Sequence, residues 1–441
     1  NSVNQSGGTY VAYVFAHNDG DGEFGADGDL DIIKCGSYTG NAGILDVNLG
    51  FEPQFVLIKK ASAAGNWIMF DTMRGFRAAG DHDAAMQLFP NLSSAEDLVS
   101  RIGLTSTGFG CNPASNAGAY NASGETYIYM AIRRGTKAPE SGTEVFGLGT
   151  RGASTPGFTS NFPVDMFYRR YTTGSGYPDI GSRLTGAKAM QTSENFSEGN
   201  DSSSTFDHMN GYYNSSSADS NHFSWMWKRA PGYFDVVAYS GTGSARNLSH
   251  NLGVAPEMMW IKPRNLSYQW SVYHKDVSNS SPYYELLLNT TDSLTNNDNT
   301  NAPFAGNPTA TTIPLPSGTA SASNRSGYNY IAYIFGSVDG VSKVGSYTGN
   351  GSTGQTIDCG FSSGARFVLI KKTSGEGSWY LFDSLRGIVA GADPSLILDN
   401  SLAESSGDGD IIDPASTGFR LVTSSGDYNG SGQSYIFYAI A

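Results

Sequence analysis

Cysteine is scarce in this chain, and its spacing excludes two kinds of site. The 441 residues include three cysteines, Cys35, Cys111 and Cys359. None belongs to a CxxC pair, so the sequence contains neither a disulfide framework nor a cysteine-based zinc site. We therefore expect small thiols that are buried or half-buried in the fold.

Basic charge and long apolar runs are also lacking. Lys and Arg number 27 against 40 Asp and Glu, which gives a formal net charge of −13. Because a nucleic-acid backbone is bound by clustered Lys and Arg, we expect no nucleic-acid partner. No apolar run approaches the ~20 residues of a bilayer-spanning helix, so we expect no membrane insertion.

Histidine is equally sparse, and it forms no catalytic or metal-binding pattern. The six histidines are scattered without an HExxH pair or other ligand spacing. We therefore expect surface or turn positions for them. No motif for nucleophilic or acid–base catalysis stands out elsewhere, and the sequence does not predict an enzyme.

What the sequence does contain is a repeat of ~100 residues, the size of an ordinary domain. The clearest copy, residues 341–441, reads VGSYTGNG, ARFVLIKK, SWYLFDSLRG, STGFRL and YIFYAIA in that order. The same landmarks recur in residues 34–134, and more divergent copies occupy residues 232–336 and 140–229. The copy at 140–229 diverges most. We expect four domains in series.

The start of the chain matches only part of a copy. Residues 1–16 resemble the closing segment of a further repeat, and the sequence lacks an initiator Met and a signal peptide. We interpret the chain as the C-terminal portion of a longer protein. Residues 17–33 are an acidic stretch between this segment and the first complete copy.

Within each copy the periodicity is that of strands. FVLIKK and YIFYAIA are short apolar or aromatic runs bounded by Gly, Asn and Ser. The NGSG before the closing run tolerates the positive φ of a tight turn. About six strands per copy predict an all-β fold of tandem β-sandwiches, of jelly-roll or lectin-like type. A propeller is disfavoured because one blade holds only ~40–50 residues.

The repeated strand WYLFD carries large residues on both faces, which predicts a central strand covered on each side. We therefore expect Trp67 and Trp379 to be buried. The DTMRG and DSLRG that end this strand place Asp71 near Arg74 and Asp383 near Arg386. Each pair either presents a carboxylate to a substrate groove or closes a turn with an ion pair, and we favour the ion pair.

The acidic stretch 17–33 is a candidate calcium site. Its carboxylates alternate with glycine and small residues, which would let several oxygens face one hard cation. The candidate ligands are Asp19, Asp21, Asp27, Asp29 and Asp31. The stretch fails the EF-hand pattern, and a solvated linker is the alternative interpretation. Calcium is the one cofactor that the sequence suggests.

The divergent copy is also a candidate glycan-binding surface. Aromatic faces stack on sugar rings while neighbouring polar groups bond to the hydroxyls. The candidate residues are Tyr168, Tyr171, Tyr177, Trp225 and Trp227. Core packing is the alternative for each of them, because aromatic residues in strands are usually buried.

The succession SYTGN, FVLIKK, NWIMFDTMRG, STGFG, SGETYIYMAIRRG and YIFYAIA resembles repeat-containing tail and fibre proteins of tailed bacteriophages, especially of the marine type. The resemblance covers almost the whole chain. It implies a structural virion protein of the tail or another external appendage, and it brings no catalytic residues. It further implies contacts with other virion proteins, a homo-oligomer with a trimer expected, and adhesion to a host-surface glycan or receptor.

Two alternatives to an adhesive appendage remain at this stage. A tailspike-like glycan hydrolase would need two carboxylates ~5 to 9.5 Å apart across a cleft. The second alternative is a capsid decoration or fibre protein, whose location on the particle would differ from that of an adhesin or a hydrolase.

Overall fold

The computed structural model describes residues 3–17, 24, 28, 30–78, 85–99, 102–111, 117–174, 176, 178–215, 217–278, 284–296, 302–318, 322–405 and 409–441. Regular structure in these residues is almost entirely antiparallel β, which confirms the predicted all-β class. None of their helices is long and apolar enough to cross a bilayer. The strands group into four units along the chain, called units 1 to 4 below.

Unit 1 contains β1 (Ile33–Thr39), β2 (Leu45–Asn48), β3 (Pro53–Lys60), β4 (Trp67–Asp71), β5 (Ala85–Gln87), β6 (Asp97–Val99), β7 (Ile102–Thr105), β8 (Gly108–Cys111), a 3-10 turn (Ala117–Ala119) and β9 (Thr126–Arg133). Unit 2 contains a 3-10 turn (Gly142–Glu144), β10 (Phe146–Arg151), β11 (Phe158–Thr159), β12 (Met166–Tyr171), β13 (Asp179–Ser182), β14 (Lys188–Gln191), β15 (Gly199–Asn200), β16 (Ser204–Thr205), β17 (Gly211–Asn214) and β18 (Asp219–Trp227).

Unit 3 contains β19 (Phe234–Ser240), β20 (Arg246–Ser249), β21 (Met258–Pro263), β22 (Ser271–His274), α1 (Lys275–Ser278), β23 (Tyr284–Leu287), β24 (Thr295–Asn296), β25 (Thr312–Leu315) and β26 (Asn329–Phe335). Unit 4 contains β27 (Ser342–Thr348), β28 (Gln355–Asp358), β29 (Phe367–Lys372), β30 (Trp379–Asp383), β31 (Leu396–Ile397), β32 (Ile412–Ala415), β33 (Gly418–Leu421) and β34 (Ser434–Ile440).

Each unit is built from a main sheet and a smaller second sheet. The main sheets have the orders β1-β9-β3-β4, β10-β18-β12-β13-β14-β15, β19-β26-β21-β22-β23-β24 and β27-β34-β29-β30-β31. In every unit the closing strand therefore lies between the first and the third strand, where both of its edges are paired. The second sheets have the orders β2-β8-β7, β11-β17-β16, β20-β25 and β28-β33-β32.

The turn before the closing strand explains the repeated Asn and Gly of the sequence. In unit 4, Asn429 is fully buried, and its side-chain oxygen accepts from the amide of Asn350 at 2.9 Å. The hydroxyl of Tyr435 accepts from the amide of Gly430 at 2.8 Å. Gly432 has a φ of +70°, which a residue with a side chain rarely adopts. The turn therefore delivers the chain into the centre of the sheet.

One face of each main sheet packs against the second sheet of its own unit. In unit 4 this sandwich core includes Val368, Ile370, Phe419 and Phe437. Separate cores of the same kind exist in unit 3, around Ile261, and in unit 2, around Phe167, Phe206 and Tyr212. Alternation along each strand sends every second residue to the opposite face, which is called the back face below.

The back faces of units 2, 3 and 4 meet in one shared core. Trp225 and Trp227 of unit 2, Trp260 of unit 3 and Leu369 and Tyr438 of unit 4 belong to a single buried cluster. These residues are at most 3% exposed. Units 2, 3 and 4 are therefore not structurally independent domains, because each contributes one sheet face to a common hydrophobic core.

A repeated hydrogen bond closes these three units into a ring. Backbone amides of Glu198, Leu294 and Glu404 donate to the carbonyls of Arg264, Thr373 and Thr172 over 2.7, 3.4 and 2.9 Å, respectively. The first bond joins unit 2 to unit 3, the second joins unit 3 to unit 4, and the third joins unit 4 to unit 2. Three quasi-equivalent contacts thus give an approximate three-fold arrangement within one chain.

Two tryptophans strengthen the same contacts. The indole nitrogen of Trp270 in unit 3 donates to the carbonyl of Gln191 in unit 2 at 3.0 Å. The indole nitrogen of Trp379 in unit 4 donates to the carbonyl of Leu287 in unit 3 at 2.9 Å. In unit 2 the buried Arg170 donates to the corresponding carbonyl of unit 4, that of Ile397, at 2.6 Å.

Unit 1 lies outside this ring and is joined to it by a buried ionic network. Glu52 of unit 1 binds Arg229 of unit 2 through two hydrogen bonds of 2.6 and 2.7 Å. Arg229 also bonds to Asp235 of unit 3 at 2.7 Å, and Arg134 of unit 1 bonds to the same carboxylate at 3.0 Å. Asp235 is fully buried, and these two arginines lower its pKa although burial opposes them.

The back face of unit 1 is not covered by the described part of the chain. Trp67 is 38% exposed and Ile128 is 41% exposed, whereas Trp379 is 1% exposed. The expectation that Trp67 is buried was therefore wrong, because the neighbour that covers the corresponding face in units 2, 3 and 4 is missing here. Residues 3–17 form no strand, and Tyr13 and Val14 within them are 84% and 89% exposed.

Candidate functional site

A cleft of about 370 Å³ opens at one end of the sandwich of unit 2. Strands β12, β13 and β14 of the main sheet form its floor, and the segment from β14 to β16 forms its wall. The cleft is lined by Arg169, Asp179, Ala189, Met190, Gln191, Phe196, Ser197, Gly199, Asn200 and Asp201.

Arg169 lies at the base of the cleft because of its place in β12. Alternation along this strand puts Phe167 and Arg169 on the sandwich face, and the guanidinium carbon lies 4.8 Å from the centroid of the Phe167 ring. Arg169 is 6% exposed. The end of a hydrophobic core is thus completed by a cation that needs buried anionic partners.

Two aspartates provide those partners. Asp179 faces Arg169 directly in the register of β12 with β13. The same guanidinium nitrogen, Nη2, lies 3.3 Å from Oδ2 of Asp179 and 3.0 Å from Oδ2 of Asp201. The floor of the cleft therefore carries two carboxylates on either side of one shared cation.

The two carboxylates differ in their protonation behaviour. Burial raises the pKa of Asp179, although the charge of Arg169 opposes the change. Burial also favours a higher pKa for Asp201, but Arg169 and the hydroxyls of Ser203 and Ser204 outweigh it and lower that pKa. Shifted carboxylate pKa values of this kind occur at functional sites and also in buried ion-pair networks.

An exposed aromatic side chain forms the rim. Phe196 is 58% exposed, and the carbonyl oxygen of the Asn200 side chain accepts from Lys188 at 2.8 Å. An apolar ring beside amide, carboxylate and guanidinium groups can stack on a sugar ring and bond to its hydroxyls. The arrangement therefore fits a neutral or basic carbohydrate better than an apolar ligand.

The structure separates the aromatic residues that the sequence proposed for this role. Tyr168, Trp225 and Trp227 are at most 3% exposed and belong to the shared core, so they cannot contact a ligand in solution. That expectation is corrected because strand alternation puts them on the back face. Tyr171 is 36% exposed and stacks on His222 with centroids 4.3 Å apart. Tyr177 lies outside the described residues.

The copied Asp and Arg residues close turns, as favoured from the sequence. The Nε of Arg74 lies 2.6 Å from Asp71, and that of Arg386 lies 2.6 Å from Asp383. Asp383 is fully buried and also accepts from the indole of Trp225 at 3.1 Å. These carboxylates therefore have structural partners and do not line the cleft.

Four of the five proposed calcium ligands, Asp19, Asp21, Asp27 and Asp29, lie outside the described residues. Asp31 is half-buried after the bridge between Phe24 and Leu30. The residues that the structure does describe contain no group of three or more His, Cys, Asp or Glu side chains able to hold a metal ion. Calcium binding by residues 17–33 stays a prediction.

The cysteines and three of the histidines are packed inside the fold rather than gathered at a site. Cys111 and Cys359 are buried and Cys35 is half-buried, all as free thiols. Three histidines are buried rather than exposed, contrary to expectation, namely His222, His250 and His274. Burial lowers the pKa of His222 to about 4, which keeps the ring neutral inside the fold.

A second cleft of about 350 Å³ lies between units 1 and 3 and is lined in part by Glu52, Arg134, His250 and Asn251. Glu52 and Arg134 belong to the ionic network, and the amide of Asn251 donates to Asp235 at 2.8 Å. His250 interacts with the carbonyl of Thr309 at 3.1 Å. Since its polar groups hold units 1 and 3 together, the cleft of unit 2 is the stronger candidate site.

A family model for a domain of unknown function, DUF7483, matches residues 1–134 and 185–441, which is most of the chain. The chain belongs to this family. Searches of curated proteins and of solved structures found no match. The unmatched residues 135–184 include Arg169 and Asp179, so two of the ten residues that line the cleft lie in the part of unit 2 that the family model does not cover.

Sequence reasoning placed its glycan-binding candidates in the same unit as this cleft, but it did not select the residues that line the cleft. The usable signals were the charged pair in FYRRY and the polar segment NFSEGND between two strands, which includes Phe196 and Asp201. Neither signal indicates by itself that one arginine binds two carboxylates from different strands.

Proposed function

We propose that this protein is a structural component of an external phage appendage, such as a tail fibre, and that it binds a host-surface glycan in the cleft of unit 2. The observation that carries the proposal is the combination of an exposed Phe196 with the fixed polar groups of Arg169, Asp179 and Asp201. Because Arg169 binds both carboxylates, the polar floor is held in place before any ligand arrives, and this reduces the entropic cost of binding.

The surrounding fold supports a display role. Units 2, 3 and 4 share one core, so the cleft sits on a large scaffold rather than on a single small domain. The resemblance to repeat-containing tail and fibre proteins agrees with such a scaffold. Location on the virion and the identity of the receptor are parts of the same proposal.

Binding of the purified chain to polysaccharide from host cells tests this proposal. Phe196→Ala should weaken binding by roughly 5- to 30-fold, since an aromatic–sugar stacking contact contributes on the order of 1–2 kcal/mol. Met209→Ala is a matched control, because Met209 is 66% exposed in the same unit but does not line the cleft. Equal binding by the wild type and the Phe196 variant would contradict the proposal.

The paired aspartates favour one second candidate, a glycan hydrolase. Asp179, with its raised pKa, would donate a proton to the glycosidic oxygen, and the ionised Asp201 would act as the second carboxylate. Against this, Oδ2 of each aspartate is held by the same Arg169 guanidinium nitrogen, whose charge favours the ionised form of both carboxylates and opposes a general acid at Asp179. We therefore place binding first.

Reducing ends released from the same polysaccharide distinguish the two functions. Binding without release supports the adhesin. Release that Asp179→Asn abolishes would establish the hydrolase instead, while the location of the protein in an image of the particle would test the appendage role directly.

A further inference from the structure

The back face of unit 1 carries the same surface that packs three units together elsewhere in this chain. Strand pairing sets Phe55, Leu57 and Lys59 of β3 against Asp71, Met69 and Trp67 of β4. In unit 4, Phe367, Leu369 and Lys371 face Asp383, Leu381 and Trp379 in the same order. The chemistry of the two faces is therefore matched position by position.

The two faces differ in what covers them. Leu369, Leu381 and Trp379 are each 1% exposed inside the shared core. In unit 1 Leu57 and Met69 are only half-buried and Trp67 is 38% exposed. An apolar sheet face of this size in contact with water is unfavourable, and it marks a contact surface.

The groups that make the ring contacts are also present in unit 1. Phe89 is the unit 1 counterpart of the carbonyl acceptors in the ring, which are Gln191, Leu287 and Ile397. The residue before Phe89, Leu88, pairs with Met69. In unit 4 the residue before Ile397, Leu396, pairs with Leu381 in the same way. The carbonyl of Phe89 accepts from the amide of Leu92 at 3.0 Å and keeps a second lone pair. Trp67 is the corresponding donor.

The backbone contact has its counterparts as well. The acceptor Thr373 follows Lys371 by two residues, and Ala61 follows Lys59 by the same interval. The donor Leu294 follows Leu287 by seven residues, and Glu96 follows Phe89 by the same interval. Leu294 and Thr373 form one of the three ring hydrogen bonds. Ala61 and Glu96 are both exposed.

We propose that the back face of unit 1 binds two further copies of this chain, so that three copies of unit 1 form a closed ring around a three-fold axis. Trp67 of one copy then donates to Phe89 of the next, and the Glu96 amide of that copy donates back to Ala61. A head-to-tail contact closes after a number of copies fixed by its rotation. Units 2, 3 and 4 show that this contact closes with three.

The proposal goes beyond glycan binding and is independent of it, since the face lies in unit 1 and the cleft in unit 2. Sedimentation of the purified chain gives the first test. We expect a particle of three times the chain mass of 46.8 kDa. A monomer, a dimer or an open-ended series of oligomers would each overturn the proposal, because each is incompatible with a closed ring of three.

Substitution then locates the surface. Leu57→Glu places a charge in the centre of the face and should weaken the trimer by roughly 100-fold or more. The side chain of Leu57 points away from the sandwich core of unit 1, so circular dichroism should remain unchanged. Leu385→Glu is the matched control, because Leu385 is 63% exposed in unit 4, and this variant should remain trimeric. Equal effects of the two substitutions would refute the assigned face.

Crosslinking tests the direction of the contact. With Cys35 replaced by Ser, Ala61→Cys together with Glu96→Cys should form disulfide-linked species that end at the trimer under oxidising conditions. Either cysteine alone should remain uncrosslinked. Crosslinking by a single variant would indicate a two-fold contact and contradict the ring.

Discussion

Trp67 and Trp379 offer a controlled comparison, because they occupy equivalent positions in two units and differ in their surroundings. Trp379 is 1% exposed, packs in the shared core and donates to Leu287 at 2.9 Å. Emptying such a site costs ~3–5 kcal/mol, which includes about 1 kcal/mol for the lost hydrogen bond. Trp67 is 38% exposed, so its removal from a dissociated chain should cost less than ~1 kcal/mol.

Urea unfolding of Trp67→Ala and Trp379→Ala measures this difference. Both substitutions are made in the Leu57→Glu background, which removes the proposed association. The free energy of unfolding should fall by at least ~2 kcal/mol more for the Trp379 variant. Equal costs would refute the assignment of Trp379 to a core shared between units.

The shared core also changes how far the damage spreads. From the repeats alone, the loss would remain within one unit, as in a serial array. Because Trp379 bonds across to unit 3, we expect faster hydrogen exchange in β23 as well as in unit 4. Exchange that rises only in unit 4 would contradict this coupling.

Three further predictions concern charge. The pKa of His222 is lowered to about 4 from 6.5, so between these values the unfolded chain binds a proton that the folded chain does not. The free energy of unfolding should therefore fall as the pH drops from 6.5 towards 4. In thermal melts His222→Phe should reduce this pH dependence, and the same pH dependence in the wild type and the variant would contradict the prediction. Arg169→Ala leaves the cleft carboxylates without their cation and should cost ~3–5 kcal/mol, whereas unchanged stability would show that the pair is not needed. Glu52→Ala leaves Arg229 without its bidentate partner, so residues 135–139, which connect unit 1 to unit 2, should become more sensitive to limited proteolysis. An unchanged digestion pattern would argue against the ionic network as the link to unit 1.

The sequence predicted the fold because the repeat carries its own strand pattern. Segments such as FVLIKK and YIFYAIA are short, apolar and bounded by turn residues, and each forms a central strand of its sheet. The tight turn with a positive φ at Gly432 was likewise visible as NGSG, whereas the burial of Asn429 in that turn was not predicted. Local chemistry of this kind depends on residues that are close together in the chain.

The contacts between units were not predictable in the same way. Trp67 and Trp379 lie in nearly the same local sequence, yet their burial differs because only one of them has a neighbouring unit. Trp225 and Trp227 appeared suited to sugar stacking, but which face of a strand is covered depends on packing between units. The cleft also required a pairing, Arg169 with Asp201, that spans 32 residues.

The position of a bound oligosaccharide tests the central claim most directly. Crystals of the chain with a fragment of host-surface polysaccharide should show a sugar ring against Phe196, with hydroxyls within hydrogen-bond distance of Arg169, Asp179 or Asn200. A sugar bound instead in the cleft between units 1 and 3, or elsewhere on the chain with the cleft of unit 2 empty, would contradict the assignment.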